Sequence, residues 1–522
     1  MRPAVNIERS FIAHITLRFS LVTLLKTLCE ACFFIRFAFP LGLFLWTDVT
    51  AANHPNIVYI LADDQGYGEA RSFNPDLPIP TPGIDRIAHE GMRFTDAHSA
   101  AANCTPTRYG LLTGRYAWRT RLQTGVLNSG TDPLIAKDTL TVPTLLKKHG
   151  YRTAIVGKWH LGFHYEMPAG TRMDDAMKAA RTVPVGSRVI EGPITRGFDK
   201  FYGYHSGGEL RTWIENDQVV ENLESYDEML PRIRATSVDY LRERGREKDG
   251  PFFLYIPLSS PHAPIAPSRE WHGKSGLGAY ADFVMQTDDV ARQILDGLDE
   301  AGLAENTLVF FTTDNGTSRG APVPELRSQG YDPTGGLKGR KSDAWEGGHR
   351  VPFLARWPGV IEPGNTSDDT IVHNNLLATV ADILKVELPD DAGVDSFSIL
   401  PLLQERTDRE STHPYVIHHS TKGCFAIRQG NWKLVACRGS GGYSEGDDGQ
   451  PAQLYDLAAD WKEKDNRILS EPRQAKYLAD LLERAVANGR TNPGKKLAND
   501  VPVDIWKTNN GRPDVLKIID TD

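Results

Sequence analysis

The chain has 522 residues, 40% hydrophobic and 24% charged, enough apolar content to fill a large core and a second, smaller one. Its formal net charge is -8, and residues 1–52 carry five of the bases and three of the acids, so the remainder stands at -10. That acidic balance speaks against nucleic-acid binding, and any anionic ligand would have to meet a local cluster of cations.

Phe37 to Trp46 is an uninterrupted apolar run, preceded by Arg36 and followed by the small residues Val49-Thr50-Ala51-Ala52. It reads as the apolar centre and cleavage site of a secretory signal, and it is shorter than the roughly 20 residues that span a bilayer. Residues 1–52 are therefore expected to be a signal peptide or N-terminal leader that sends the chain to a secreted or periplasmic location. An uncleaved anchor, or a start site further downstream, would also account for the long charged stretch before the run.

Asn56 to Ala62 is a short continuous apolar run, the pattern of a strand buried on both faces, and it ends at Asp63-Asp64. Thr81-Pro82 opens a helix to Glu90, with Thr81 as cap and Gly91 as terminator. Similar strands are expected at Thr153 to Val156, Phe252 to Pro257 and Thr307 to Thr312. Helices are expected at Val142 to Lys148, Arg234 to Arg244 and Tyr280 to Glu300. The alternation predicts an α/β fold with a mainly parallel sheet between two layers of helices. Ligands gather beyond the carboxyl ends of the strands in such folds. Asp63-Asp64, Lys158 with His160, His262, and Asp314-Asn315 follow four different strands, so one convergent site is expected. The polar insert from Met167 to Gly192 reads as a surface excursion.

The texture changes after Leu403, giving a catalytic domain over 53–403 and a C-terminal subdomain over 404–522. Gln404 to His413 is a charged linker. Short alternating runs follow at Tyr415 to His418, Phe425 to Arg428, Lys433 to Val435 and Gln453 to Leu457, then a helix near Ala475 to Ala487, which together predict a small antiparallel sheet packed with a helix. Residues 439–450, rich in Gly and Asp, read as a mobile loop. Of the five cysteines, Cys29 and Cys32 lie in the leader. Cys424 and Cys437 flank a hairpin signal that would set them opposite each other; a disulfide and two reduced thiols both fit.

The fifth cysteine carries the strongest motif. Cys104-Thr105-Pro106-Thr107-Arg108 continues as Tyr109-Gly110-Leu111-Leu112-Thr113-Gly114-Arg115. This run resembles the signature of the sulfatase family, in which the cysteine is oxidised to formylglycine. The chemistry explains the use of that residue. A thiolate attacking sulfur would leave a sulfated cysteine that water cleaves poorly, whereas the aldehyde hydrate attacks with one hydroxyl and expels sulfate by collapsing through the other.

Other segments extend the resemblance from Asn56 to the Leu454-Tyr455-Asp456-Leu457 run, and it implies an alkaline-phosphatase-like fold. Asp63, Asp64, Asp314 and Asn315 match the family's metal positions. As oxygen donors they suit a hard cation, Ca2+ first and Mg2+ second, although any one of them alone would serve equally as a turn or cap residue. Gly157-Lys158-Trp159-His160-Leu161-Gly162 implies that Lys158 contacts sulfate and that His160 takes the proton from the second hydroxyl. Ser260-Pro261-His262-Ala263-Pro264 implies a sulfate contact for His262. In Leu337 to Arg350, the spacing to Glu346-Gly347-Gly348 favours Lys341 over Lys338 and Arg340 as the sulfate and leaving-group contact. Arg108 is either a surface residue of a first helical turn or the guanidinium that fixes the hydrated aldehyde, and the resemblance implies the second.

The expected activity is therefore sulfuric ester hydrolysis, of arylsulfatase type, with a sulfated small molecule or saccharide as substrate and a formylglycine-generating or equivalent maturation enzyme as partner. A phosphonate or phosphate ester hydrolase of the same superfamily is the alternative enzyme. A protein that binds sulfated glycans without cleaving them is the alternative from another class. His205, Glu209, Arg211 and Trp213, and His418 with His419, are candidates to line the entrance.

Overall fold

The segment Asn56–Ala62 is buried at every position because it is paired on both sides and covered on both faces. In the computed structural model, which describes residues 54–170, 182–406 and 412–517, it lies parallel to Thr307–Thr313 on one side and to Phe252–Pro257 on the other. Arg152–Lys158 and then Lys200–Tyr204 continue the parallel block. Antiparallel strands flank it: Phe353–Arg356 beside Thr307–Thr313, and Thr212–Glu215 beside Lys200–Tyr204. Among the described residues twelve strands make up this mixed sheet, whose five central strands are parallel, in agreement with the alternation of strands and helices in the sequence.

The two-residue period of the first strand divides the core. Ile57, Tyr59 and Leu61 pack with Leu111, Leu146 and Leu377 from the helices Cys104–Thr113, Val142–Lys148 and Asn375–Leu384. Val58, Ile60 and Ala62 pack with Ile84, Ile233 and Ile294 from Pro82–His89, Met229–Glu247 and Ala279–Glu300 on the other face. Apolar area is removed from water on both sides of the sheet, which is why these strands read as continuous hydrophobic runs.

Four antiparallel strands, Val416–His419, Phe425–Gln429, Trp432–Val435 and Gln453–Asp456, form a separate sheet in chain order. Helix Pro472–Asn488 covers it through Leu478 and Leu482, packed with Ile427, Leu434 and Leu454. Cys424 and Cys437, at the hairpin's open end, form a disulfide with their Cα atoms 5.8 Å apart.

Local expectations need three corrections. Thr81 does not cap its helix: its hydroxyl accepts from the Arg71 amide and donates to Asp85, while the Asp288 carboxylate accepts from the amides of Gly83 and Ile84. Lys158 is the last residue of its strand rather than one beyond it. The helix expected at Arg234 to Arg244 runs from Met229 to Glu247. The leader, residues 171–181 of the polar insert and residues 407–411 of the linker lie outside the described residues. Among those described, no helix is long and apolar enough to cross a membrane.

Candidate active site

Asp63 and Asp64 follow the first strand and are held there by backbone bonds: the Asp63 amide donates to the Ser260 carbonyl, and the Asp64 amide donates to the Asp314 carboxylate. Asp64 has φ 70°, an uncommon conformation for a residue with a side chain. The Asp314 amide donates to the Ala62 carbonyl, so the loops after two neighbouring strands are tied together. Asn315 donates through Nδ2 to Asp64 at 2.7 Å.

Cys104 opens a helix of ten residues, every one of them buried. Its sulfur lies 3.7 Å from Asp63, 3.9 Å from Asp64 and 3.4 Å from Lys341 Nζ. Arg108, one turn further on, is no surface residue. It is fully buried, donates to Asp314 through Nε at 3.1 Å and Nη2 at 2.7 Å, and donates to the Lys158 carbonyl through Nη1. Lys158 Nζ reaches Asp63 at 2.7 Å, Lys341 Nζ reaches Asp64 at 2.7 Å, and His262 Nε2 stands 3.6 Å from Asp64. Lys338 and Arg340 point elsewhere: Lys338 donates to Tyr455 and to the Glu463 carbonyl, and Arg340 reaches the Ala321 carbonyl. Of the lysine segment's cations, Lys341 is the one set against Cys104.

The structure does not put His160 in hydrogen-bond contact with these groups. Its Nε2 is 3.0 Å from the Leu127 carbonyl, and Nδ1 is buried without a protein partner. A carbonyl can only accept, so Nε2 carries the hydrogen and Nδ1 the free lone pair.

Burial would raise the Asp63 carboxyl, but the Lys158 ammonium, joined by His262, Arg108 and Lys341, holds it well below the ordinary range. Asp64 is likewise lowered, Lys341 leading the opposition to burial. Asp314 goes the other way: burial, with the Cys104 and Asp63 charges, outweighs Arg108 and pushes it well up. Burial also raises the unmodified Cys104 thiol, yet Lys158 and Lys341 bring it down to about 7. Burial, with the Lys158 and Arg108 charges, keeps His160 neutral. His262 is raised because Asp64 and Asp63 outweigh burial and Lys341.

These groups also meet a test for a cation site. Carboxylate oxygens of Asp63 and Asp64 lie within 4.8 Å of each other and of the Cys104 and His262 ligand atoms. Asn315 Oδ1 is buried with no protein partner. A buried amide oxygen left unpaired is costly unless something binds it. Asp314 already accepts from Asp64 and Arg108, so it would share its oxygens with a cation. The set is oxygen-rich and suits a hard divalent ion.

One contributor was not visible in the sequence. Asp343 accepts the Arg340 amide on Oδ2 and the Tyr443 and Ser444 amides on Oδ1, locking the turn that carries Lys341. The Gly and Asp content of 439–450 predicts a mobile loop; its first part is instead fixed to this turn through Tyr443 and Ser444. Gly347 and Gly348 follow from the same close packing: a Cβ would come within 2.3 Å of the Gly339 carbonyl oxygen at the first and 2.0 Å of the Asp343 carbonyl oxygen at the second. The proposed entrance residues are mostly interior. His205, Glu209, Trp213 and His418 are fully buried, and His419 is nearly so. Glu209 accepts from Tyr165, and His418 stacks on His349 at 3.7 Å.

A nucleophile position at a helix start, three buried acids and three buried or nearly buried cations at the strand ends of an α/β sheet define an ester hydrolase for anionic substrates. Comparison with known proteins is more specific. The sulfatase family model matches residues 55–386, and a model of the N-sulphoglucosamine sulphohydrolase C-terminal region matches 341–490. The chain is 32% identical over 486 residues to an N-acetylgalactosamine-6-O-sulfatase of Bacteroides thetaiotaomicron, covering 82% of this chain and 92% of the relative. It is 30% identical over 475 residues to human arylsulfatase A, covering 84% and 90%. A solved 6S-sulfatase from the glycosaminoglycan metabolism of Bacteroides thetaiotaomicron superposes with a TM-score of 0.73 at 28% identity, over 83% of this chain and 99% of that one. The chain belongs to the sulfatase family, has its alkaline-phosphatase-like fold, and is a sulfuric ester hydrolase.

Proposed function

We propose that this chain hydrolyses a sulfate ester on a sulfated carbohydrate, using residue 104 as formylglycine and a divalent cation, Ca2+ or alternatively Mg2+, at Asp63, Asp64, Asp314 and Asn315. The observation that carries the reading is the position of Cys104: at a helix start, within 3.4 Å of Lys341 and 3.7 Å of Asp63. When present, the aldehyde hydrate supplies a hydroxyl nucleophile and the cation draws charge from the sulfate oxygens.

The chain's own residues do the rest. Arg108 fixes Asp314 and, through the Lys158 carbonyl, the strand end that carries Lys158. Lys158, Lys341 and His262 surround the sulfate with donors that need little reorganisation, the electrostatic contribution that usually dominates such catalysis. Even with all three acids ionised, three permanent cations balance them, so a divalent ion leaves net positive charge for the anionic ester. Neutral His160, with its free Nδ1 lone pair, takes the proton that must leave residue 104. His262, whose Nε2 stands 3.6 Å from Asp64, is placed to hand a proton to the departing oxygen.

The N-acetylgalactosamine-6-O-sulfatase among the relatives supports a saccharide substrate. We also place the catalytic domain at 53–403 and the C-terminal subdomain at 404–522, read residues 1–52 as an export leader, and assign a formylglycine-generating enzyme as maturation partner. The test is sulfate release from sulfated saccharides by the parent protein and by Cys104→Ala, both made in a host that converts the cysteine. The variant should fold and release no sulfate; full activity in it would overturn the reading.

A further inference from the structure

Three segments clasp the turn that carries Lys341, and each presents an exposed side chain next to its point of attachment. The Lys341 amide donates to the Thr317 carbonyl, and Arg319 lies two residues beyond. The Thr421 amide donates to the Ser342 carbonyl, and Lys422 follows. The Tyr443 amide donates to Asp343. The three side chains meet: the Arg319 guanidinium lies 3.9 Å from the centre of the Tyr443 ring, and the Lys422 ammonium lies 5.2 Å from it. Tyr443 is 53% exposed, so the ring and both cations are open to a ligand from solvent.

Two features separate this cluster from ordinary surface charge. Among the described residues, neither Arg319 nor Lys422 lies within salt-bridge distance of a carboxylate, although the chain carries more acids than bases. Both cations are also held against one ring, so two positive charges stay close together despite their repulsion. An aromatic ring that orders two unpaired cations loses little further freedom when an anion arrives.

From this we infer that Arg319, Tyr443 and Lys422 form a subsite for a second anionic group of the substrate, on the sugar residue next to the one that carries the scissile sulfate. The preferred substrate is then a saccharide with at least two negative charges rather than a neutral aryl or steroid sulfate. The anion is a carboxylate or a second sulfate, since both accept charge-assisted hydrogen bonds from a guanidinium. This inference rests on the sulfatase reading of the Cys104 site and extends it to specificity. None of the three residues touches Cys104 or the acidic cradle in the contacts described above, so removing them should spare the chemistry.

The test compares the parent with Arg319→Ala/Lys422→Ala on three substrates: a neutral aryl sulfate, a monosulfated disaccharide with an adjacent uronate, and a disulfated disaccharide without uronate. The double variant should lose about tenfold or more in kcat/KM on at least one disaccharide, mainly through KM, with the aryl sulfate unchanged. Which disaccharide suffers identifies the anion. The parent's kcat/KM on that substrate should also fall more steeply with salt than the variant's. Equal losses on all three substrates, or no loss on either disaccharide, would overturn the subsite. A parent protein inactive on all three would instead overturn the sulfatase reading beneath it.

Discussion

Replacing Lys433 with Met tests how the C-terminal sheet supports the turn that carries Lys341. Lys433 Nζ lies 2.9 Å from Glu346 and 2.9 Å from Glu463, and all three side chains are fully buried. The Glu346 amide also donates to Glu463 at 2.7 Å, close to the Gly347-Gly348 step that the turn packs against. Methionine fills the same space but leaves two buried carboxylates facing each other without their cation. Removing one partner of a buried ion pair costs about 3–5 kcal/mol. Unfolding entropy of about 2.1 cal/mol/K per residue gives roughly 1 kcal/mol per degree for a chain of this length, so Tm should fall by about 3–5 °C.

The loss should depend on pH. Burial pushes Glu463 up to about 7, Lys433 opposing and Glu346 adding to the rise. A carboxyl raised on folding destabilises as pH climbs past its unfolded value, about 4.3, and the full effect is present above about 7. Burial would raise Glu346 too, but Lys433, with His98 and His349, holds it well below its ordinary value. Without Lys433 both carboxyls rise, so the defect is largest near pH 8 and shrinks near pH 5, where protonation removes the repulsion. Calorimetry at the two pH values measures it, with Lys433→Met/Glu346→Gln/Glu463→Gln expected to recover most of the loss. A variant as stable as the parent at pH 8, or equally impaired at both pH values, would refute the reasoning.

Lys341→Ala should lower kcat by two orders of magnitude or more, while Lys338→Ala, which loses contacts to Tyr455, the Glu463 carbonyl and the Trp345 ring but none to Cys104 or the acids beside it, should change it by less than about threefold; steady-state sulfate release separates them. Chelation should abolish turnover, and added Ca2+ should restore it, because the cradle loses the charge that draws on the sulfate oxygens; titration of the stripped protein with Ca2+ and Mg2+ ranks the ions. Reducing the Cys424–Cys437 disulfide reopens a loop of sequence separation 13. It should cost about 3 kcal/mol, read as a lower Tm in reductant.

The site was largely legible from the sequence because its residues stand at the ends of strands that announce themselves. Asn56–Ala62, Phe252–Pro257 and Thr307–Thr313 are buried throughout and mostly apolar, and burial on both faces leaves that mark whatever the partners. The last strand of the parallel block and its antiparallel neighbour leave none: Lys200–Tyr204 and Thr212–Glu215 are short and gain their place from pairing with other segments. The same limit explains His205, Glu209 and Trp213. Their polarity suggests an entrance, but whether such side chains face solvent or the interior is decided by what packs on them, here His160 and Phe163 beside His205. Asp343 was missed for a related reason, since its role needs Tyr443 and Ser444, a hundred residues away in the chain.

Peptide mass spectrometry of the active protein across residue 104 tests the account most directly. It should find an aldehyde in place of the thiol, in a fraction that tracks specific activity across preparations. Full sulfate-ester turnover by protein that carries only the unmodified Cys104 thiol would contradict it.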